Sequence, residues 1–192
     1  NKTKAPNELK TASPKTEEEI TKHNVYFSDK TLKKAREFIQ GKEGLYLYAY
    51  DDADTHYPHP KVNAGDKVKG TLTIGYGHTK GVKPGDTITL EEAERLYRED
   101  FNEHIIVLKE VKIPLTENQK IALASFIYNN GVQRFKDSSI YKKLNAGDIK
   151  GAADVFDEYI KAHNPKTGRL EPSLGLINRR KREKELFLTP DE

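Results

Sequence analysis

Three side chains in the first half of the chain have the types that cleavage of a glycosidic bond requires. Such cleavage takes one protonated carboxyl to release the leaving oxygen. It also takes a second, ionised carboxylate to hold a water or attack the anomeric carbon. Glu43 stands directly before a Gly-Leu pair, and Asp52 follows nine residues later, at the end of the alternating run Leu45-Tyr46-Leu47-Tyr48-Ala49-Tyr50. Thr73, in the run Thr71-Leu72-Thr73-Ile74, is of the type that orients a water. Residue type alone does not single this set out, because a glutamate past a helix and an aspartate at a strand end are ordinarily solvated. A strand rises ~3.3 Å per residue, so Glu43 and Asp52 meet across a cleft only if the chain bends between them.

The elements that must position these groups follow from local signals. Ser28 reads as the N-cap of a helix over 29–40, with Leu32, Ala35, Phe38 and Ile39 on one face and Gly41 as its stop. Glu43 therefore falls at a helix-to-strand corner. The strand candidates cover 45–50 and 71–74, and Tyr46, Tyr48 and Tyr50 alternate onto one face. The long loop between them holds two prolines, two histidines and two glycines, a length uncommon unless the loop is functional or mobile. Thr89 with Glu92 and Thr116 with Gln119 form capping boxes that open helices over 90–110 and 117–129. The second, NQKIALASFIYNN, is the most apolar and is expected at the centre of the core. Short helices follow over 138–144 and 148–161, then a loop at 164–173 and a last helix over 174–187 carrying Arg179, Arg180, Lys181 and Arg182. Residues 1–27, rich in Lys, Thr, Glu and Pro, read as a flexible polar extension to a domain over 28–192, with Asn24-Val25-Tyr26-Phe27 as a tether.

Composition narrows the class. An apolar fraction of 35% and a charged fraction of 33% fit a well-solvated globular chain, and 192 residues fit one domain. A net charge of +3 is too small to argue for nucleic acid but suits an anionic polymer surface. The absence of cysteine excludes a disulfide framework and a thiol nucleophile. No run reaches the roughly 18 apolar residues of a membrane span, and there is no signal-peptide core. A chain that starts at Asn1 and lacks Met reads as a processed or excised piece of a longer product. His78 reads either as a structural histidine or as a group facing the substrate, and His56, His59 and Asp54 lack metal-ligand spacing.

The segments EGLYLYAYDD, GTLTIGYGHT, PLTENQKIALASFIYNNG, SSIYKKLNAGD and GLINRRKREKELFL, taken in that order, resemble phage-type lysozymes. These are the muramidases of glycoside hydrolase family 24, and the resemblance, over about residues 29–188, is greatest to lambdoid and P22-like endolysins. It implies a mostly helical α+β, two-lobed, lysozyme-like fold. A small β lobe would cover about 41–80 and a helical lobe about 115–188, bridged by the 90–110 helix. The implied activity is endo-hydrolysis of the β-1,4 bond between N-acetylmuramic acid and N-acetylglucosamine, with no metal and no cofactor. The implied setting is the bacterial cell wall, reached from the periplasm or the exterior by an endolysin or a secreted lysin. The implied partner is the peptidoglycan glycan strand, met by a monomer without nucleic acid or membrane span.

By the same resemblance the family's catalytic glutamate falls on Glu43 and its threonine on Thr73. The family's aspartate lies nine residues after the glutamate and six before the threonine. Counting forward gives Asp52, whereas counting back gives Lys67, beside Asp66; the two differ by 15 residues because this loop is longer than the family's usual one. Tyr50-Asp51-Asp52 resembles the family's Tyr-x-Asp, which favours Asp52, with Asp51, Asp54 and Asp66 as alternatives. The family's arginine that pairs with the glutamate falls on Arg179, one step from Arg180. Asn129 falls at a cleft-lining polar position and, with His78 and Arg179, makes up the expected substrate-binding set. The competing reading is a wall-binding module that kept the fold and lost the chemistry, and the presence of Glu43, Asp52 and Thr73 argues against it.

Overall fold

The computed structural model describes residues 16–41 and 44–192. Glu43 lies outside the described residues. The first element is a departure from expectation. Glu17–Val25 forms helix α1, opened by a capping box between Thr16 and Glu19 and by three glutamates in its first turn. Buried Asn24 donates through Nδ2 to the carbonyls of Val111 (3.1 Å) and Ile113 (2.9 Å) and accepts from the Leu115 amide (2.9 Å). Fully buried Lys120 donates to the carbonyls of His23 (2.9 Å) and Tyr26 (3.0 Å) and pairs with Glu117 at 2.7 Å. Phe27 sets its edge against Phe101 at 4.9 Å. Residues 16–27 are thus fastened to the fold rather than tethering it. The fastening uses polar side chains on backbone groups, which leaves no apolar stripe to read.

Helix α2 (Asp29–Gln40) buries Leu32, Ala35 and Ile39 and stops at Gly41, whose φ of 70° suits glycine. Strand β1 (Tyr46–Asp51) pairs antiparallel with β2 (Leu72–Gly75), placing Tyr50 opposite Thr73 and Asp51 opposite Leu72. The ladder runs one step further, with the Asp52 amide donating to the Thr71 carbonyl at 3.1 Å. The other edge of β1 is covered as well. Val62 donates to the Ala49 carbonyl (2.8 Å), Ala49 to Asp86 (3.0 Å) and Ile88 to Leu47 (3.0 Å). The long loop therefore returns to β1 and adds a residue, Lys61, as a cross-strand neighbour of Tyr50.

Helix α3 (Leu90–Ile105) leads from the sheet into the helical part and tightens into a 3-10 turn over Ile106–Glu110, so the helix expected to 110 is α-helical only to 105. Helix α4 (Glu117–Asn130) is the centre of the core, with every residue from Ile121 to Ile127 buried. Around it pack α2, α3 and the last helix. Gly131, at φ 88°, ends α4 and opens a helix that local signals did not announce, α5 (Val132–Asp137). Next come α6 (Ser139–Asn145) and α7 (Ile149–Val155). The helix expected to 161 ends early in a 3-10 turn at Phe156–Glu158, and the chain enters a hairpin, β3 (Lys161–His163) with β4 (Leu170–Pro172). The 164–173 loop is therefore that hairpin's turn and second arm. Helix α8 (Leu174–Leu188), capped by Ser173, closes a mostly helical α+β fold.

Candidate active site

Directly opposed residues on antiparallel strands point to the same face, and side chains alternate with a period of two. Tyr50, opposite Thr73, therefore shares a face with Thr73, and Asp52, two residues on, joins them. The electrostatics of Tyr50 agree. Its phenol is pushed up by burial, then by the charges of Tyr46 and Asp52, and is opposed by a hydrogen bond with Thr73. Thr73 is buried and donates through Oγ1 to the Thr71 carbonyl at 3.2 Å. Asp52 is exposed, and its Oδ1 accepts from the Thr71 amide at 2.6 Å.

The three alternative aspartates are occupied elsewhere. Asp51 is buried on the opposite side of the strand, and its carboxylate accepts from the amides of Lys69 (2.7 Å), Ala53 (3.0 Å) and Gly70 (3.0 Å). Those bonds, the one from Lys69 first, hold its pKa below the usual carboxylate range. Asp51 thus closes the base of the long loop. Asp54 accepts from the His56 amide (2.9 Å) and contacts that residue's ring at 2.6 Å, which lowers its pKa. Asp66 accepts from the Asn63 amide at 2.9 Å. Gly70 passes so close to the base of the loop that a Cβ there would stand 2.2 Å from Asp52 Oδ1 and 2.9 Å from Asp51 Oδ1.

The loop is built onto the tyrosine face. The His59 ring stacks on Tyr50, with centroids 4.5 Å apart and planes at 6°. Tyr48 donates its hydroxyl to the His59 carbonyl (2.6 Å), the His59 amide donates to the Tyr46 hydroxyl (3.3 Å), and His59 Nδ1 lies 2.9 Å from the Asp54 carbonyl.

The remaining expected residues divide. His78 Nδ1 lies 2.9 Å from Asp100 Oδ2 and Nε2 lies 2.7 Å from the Lys80 carbonyl, while its backbone is paired with Ile74. One ring nitrogen thus ties the exit of β2 to α3 and the other closes a local turn onto Lys80. Arg179 donates to the Ile39 carbonyl (3.3 Å) and Arg182 to that of Phe38 (3.4 Å), with Arg182 also over the Phe38 ring. Two cations of α8 therefore sit on the last carbonyls of α2, four and five residues before Glu43, where the helix end is negative. Arg180 turns inward instead, fully buried against fully buried Glu183 at 2.5 Å. Asn129 is exposed in the last turn of α4, and its neighbour Tyr128 lines a groove with Tyr76, Thr79, Tyr97, Asp100 and His104. Burial pushes the phenols of Tyr97 and Tyr128 up, and Tyr128 stacks on His104 at 4.2 Å. Phe126 is core.

Two placements escaped sequence reasoning: the close passage of Gly70 beside Asp52, and Lys61 in the Tyr50–Thr73 row. Both depend on where the loop recrosses β1, and no local signal encodes that. Among the described residues no group of three His, Cys, Asp or Glu converges as a metal site, and no helix is long and apolar enough to cross a membrane.

A family model described as phage lysozyme matches residues 40–183. The endolysin of Acyrthosiphon pisum secondary endosymbiont phage 1 is 44% identical over 119 residues, covering 62% of this chain and 80% of that protein. The endolysin of Salmonella phage P22 is 33% identical over 157 residues, covering 79% of this chain and 92% of its own. This chain spans about half the length of the Bacillus phage endolysins that it also matches. Among solved structures, an endolysin from Escherichia coli O157:H7 phage FAHEc1 superposes with a TM-score of 0.65 at 33% identity, covering 85% of this chain and 93% of the other.

Proposed function

The chain belongs to the phage lysozyme family, and we propose that it hydrolyses peptidoglycan with Glu43 as general acid and with Asp52 and Thr73 on the facing strands. Muramidase action, splitting the β-1,4 bond between N-acetylmuramic acid and N-acetylglucosamine, is the activity that goes with this membership. The observation that carries the residue assignment is the shared face of Asp52, Tyr50 and Thr73, from which Asp51 is turned away.

In this reading Glu43 gives its proton to the leaving glycosidic oxygen. The Asp52 carboxylate steadies the positive charge that develops at the anomeric carbon and, with the Thr73 hydroxyl, positions the water. Arg179 and Arg182 bind the end of α2, the helix that precedes Glu43 in the chain. The site of action is the bacterial cell wall, reached from the periplasm or from outside.

Clearing of a purified peptidoglycan suspension by the wild type and by Glu43→Gln tests the proposal. Clearing by the wild type alone, with the variant folded by circular dichroism, supports it. Equal clearing by both removes Glu43 as the acid, and sedimentation with the wall without clearing by either would leave a binding module.

A further inference from the structure

We propose that Lys61 is a specificity-determining contact of this enzyme, binding the carboxylate that hangs from C3 of the muramoyl ring. The inference rests on the muramidase reading and adds a residue delivered by the long loop. Lys61, Tyr50 and Thr73 form one cross-strand row: Tyr50 bridges Lys61 on one side and pairs with Thr73 on the other. Their side chains therefore share the face that carries Asp52. Two strand spacings separate the outer members, about 10 Å from Lys61 to Thr73. A lysine on its four-carbon stem bridges much of that gap toward a sugar bound beside Thr73 and Asp52.

The loop holds this lysine in place. Val62, next to it, is buried, donates to the Ala49 carbonyl at 2.8 Å and accepts from the Gly85 amide at 2.8 Å. His59, two residues earlier, is stacked on Tyr50 and bonded to Tyr46, Tyr48 and Asp54. The backbone at position 61 is thus bound on both flanks while its side chain is exposed.

The loop's acids do not neutralise it. Asp51, Asp54 and Asp66 spend their carboxylates on the loop's own amides, Asp52 Oδ1 is on the Thr71 amide, and Lys61 takes part in no ion pair among the described residues. What remains on the face is a cation whose backbone is held about two strands from the proposed reacting centre. A muramoyl residue presents the complementary group there: a lactyl ether at C3, ending in its own carboxylate or in a peptide that carries carboxylates.

The test uses Lys61→Gln and Lys61→Arg on two soluble substrates, glycan strands bearing stem peptides and strands stripped by an amidase to the bare lactyl carboxylate. Steady-state rates and the salt dependence of KM are read on both. The expected result is a KM for Lys61→Gln raised about three- to fivefold with kcat kept, a weaker salt dependence, and rescue by Lys61→Arg. An effect confined to peptide-bearing strands assigns the peptide carboxylates, and one confined to stripped strands assigns the lactyl group; either supports the contact. Unchanged KM on both substrates overturns it. So does a fall in kcat with a shifted pH profile and unchanged KM, which would mean that Lys61 acts through Asp52. A wild type inert on both strands would instead sink the muramidase reading itself.

Discussion

Gly70→Ala presses hardest on Asp52 and less on Ala53 and Asp51. The added Cβ would stand 2.2 Å from Asp52 Oδ1, 2.8 Å from the Ala53 Cβ and 2.9 Å from Asp51 Oδ1. An ordinary carbon–oxygen contact lies above 3 Å, so the Asp52 carboxylate must move by about 1 Å and release the 2.6 Å bond from the Thr71 amide. Asp52 is exposed and has solvent to swing into, so the sheet survives. A misplacement of about 1 Å of a reacting group is worth on the order of 100-fold in rate. That is about 2.7 kcal/mol of transition-state stabilisation. The assay is kcat on soluble glycan strands beside a thermal melt of the same samples. The expected outcome is a fall of roughly two orders of magnitude in kcat with a cooperative melt close to wild type. A folded variant that turns over at the wild-type rate would refute the placement of Asp52 as the second carboxylate.

Two further outcomes test the scaffold. Asn24→Ala strands three backbone groups, at Val111, Ile113 and Leu115. At about 1 kcal/mol each it should destabilise by roughly 3 kcal/mol, read as a drop of about 6–12 °C in Tm. A drop under about 2 °C would show that α1 is not held through this side chain. Burial lifts the Glu183 carboxyl from 4.5 to about 7 against the attraction of Arg180. Folded Glu183 therefore takes up a proton that the unfolded chain binds only near 4.5. The stability it contributes rises as pH falls from about 7 and is lost as pH climbs through 7. The double variant Arg180→Met with Glu183→Leu should unfold in urea at neutral pH no more easily than wild type and should lose that pH dependence. Persistence of the wild-type dependence in the double variant would assign it to another group.

How much of this was legible in the sequence depended on whether the signal was local. Ser28, Thr89 and Thr116 announce their helices because a cap is satisfied within three residues, and each accepts from the amide three residues on; at Thr116 the return bond from Gln119 completes the expected box, whereas at Thr89 the bond from the Glu92 amide stands alone. The apolar run of α4 announces the core for the same reason. Helix α1 carries no apolar stripe, because Asn24, His23 and Tyr26 are engaged by groups more than 85 residues away. The β3–β4 hairpin is three residues per arm, too short for alternation to show. At the site, the motif placed Glu43 and Thr73 by resemblance, but the two counts to the aspartate could not agree. Only the register of β1 on β2, which turns Asp51 inward and Asp52 toward Thr73, separates adjacent identical residues.

Asp52 and Thr71 are joined in both directions, amide to carbonyl and carboxylate to amide, so the 18 residues between them hang from a closed clasp. Closing so long a connection costs little, since doubling a loop adds only about 0.6 kcal/mol in closure entropy. Its course is nonetheless pinned where Val62 donates to Ala49 and where Lys69 and Gly70 donate to the Asp51 carboxylate. The insert and the strand beneath it therefore form one unit. Grafting this segment onto a relative with a short connection would have to carry the stretch from Ala49 to Asp52 along with it.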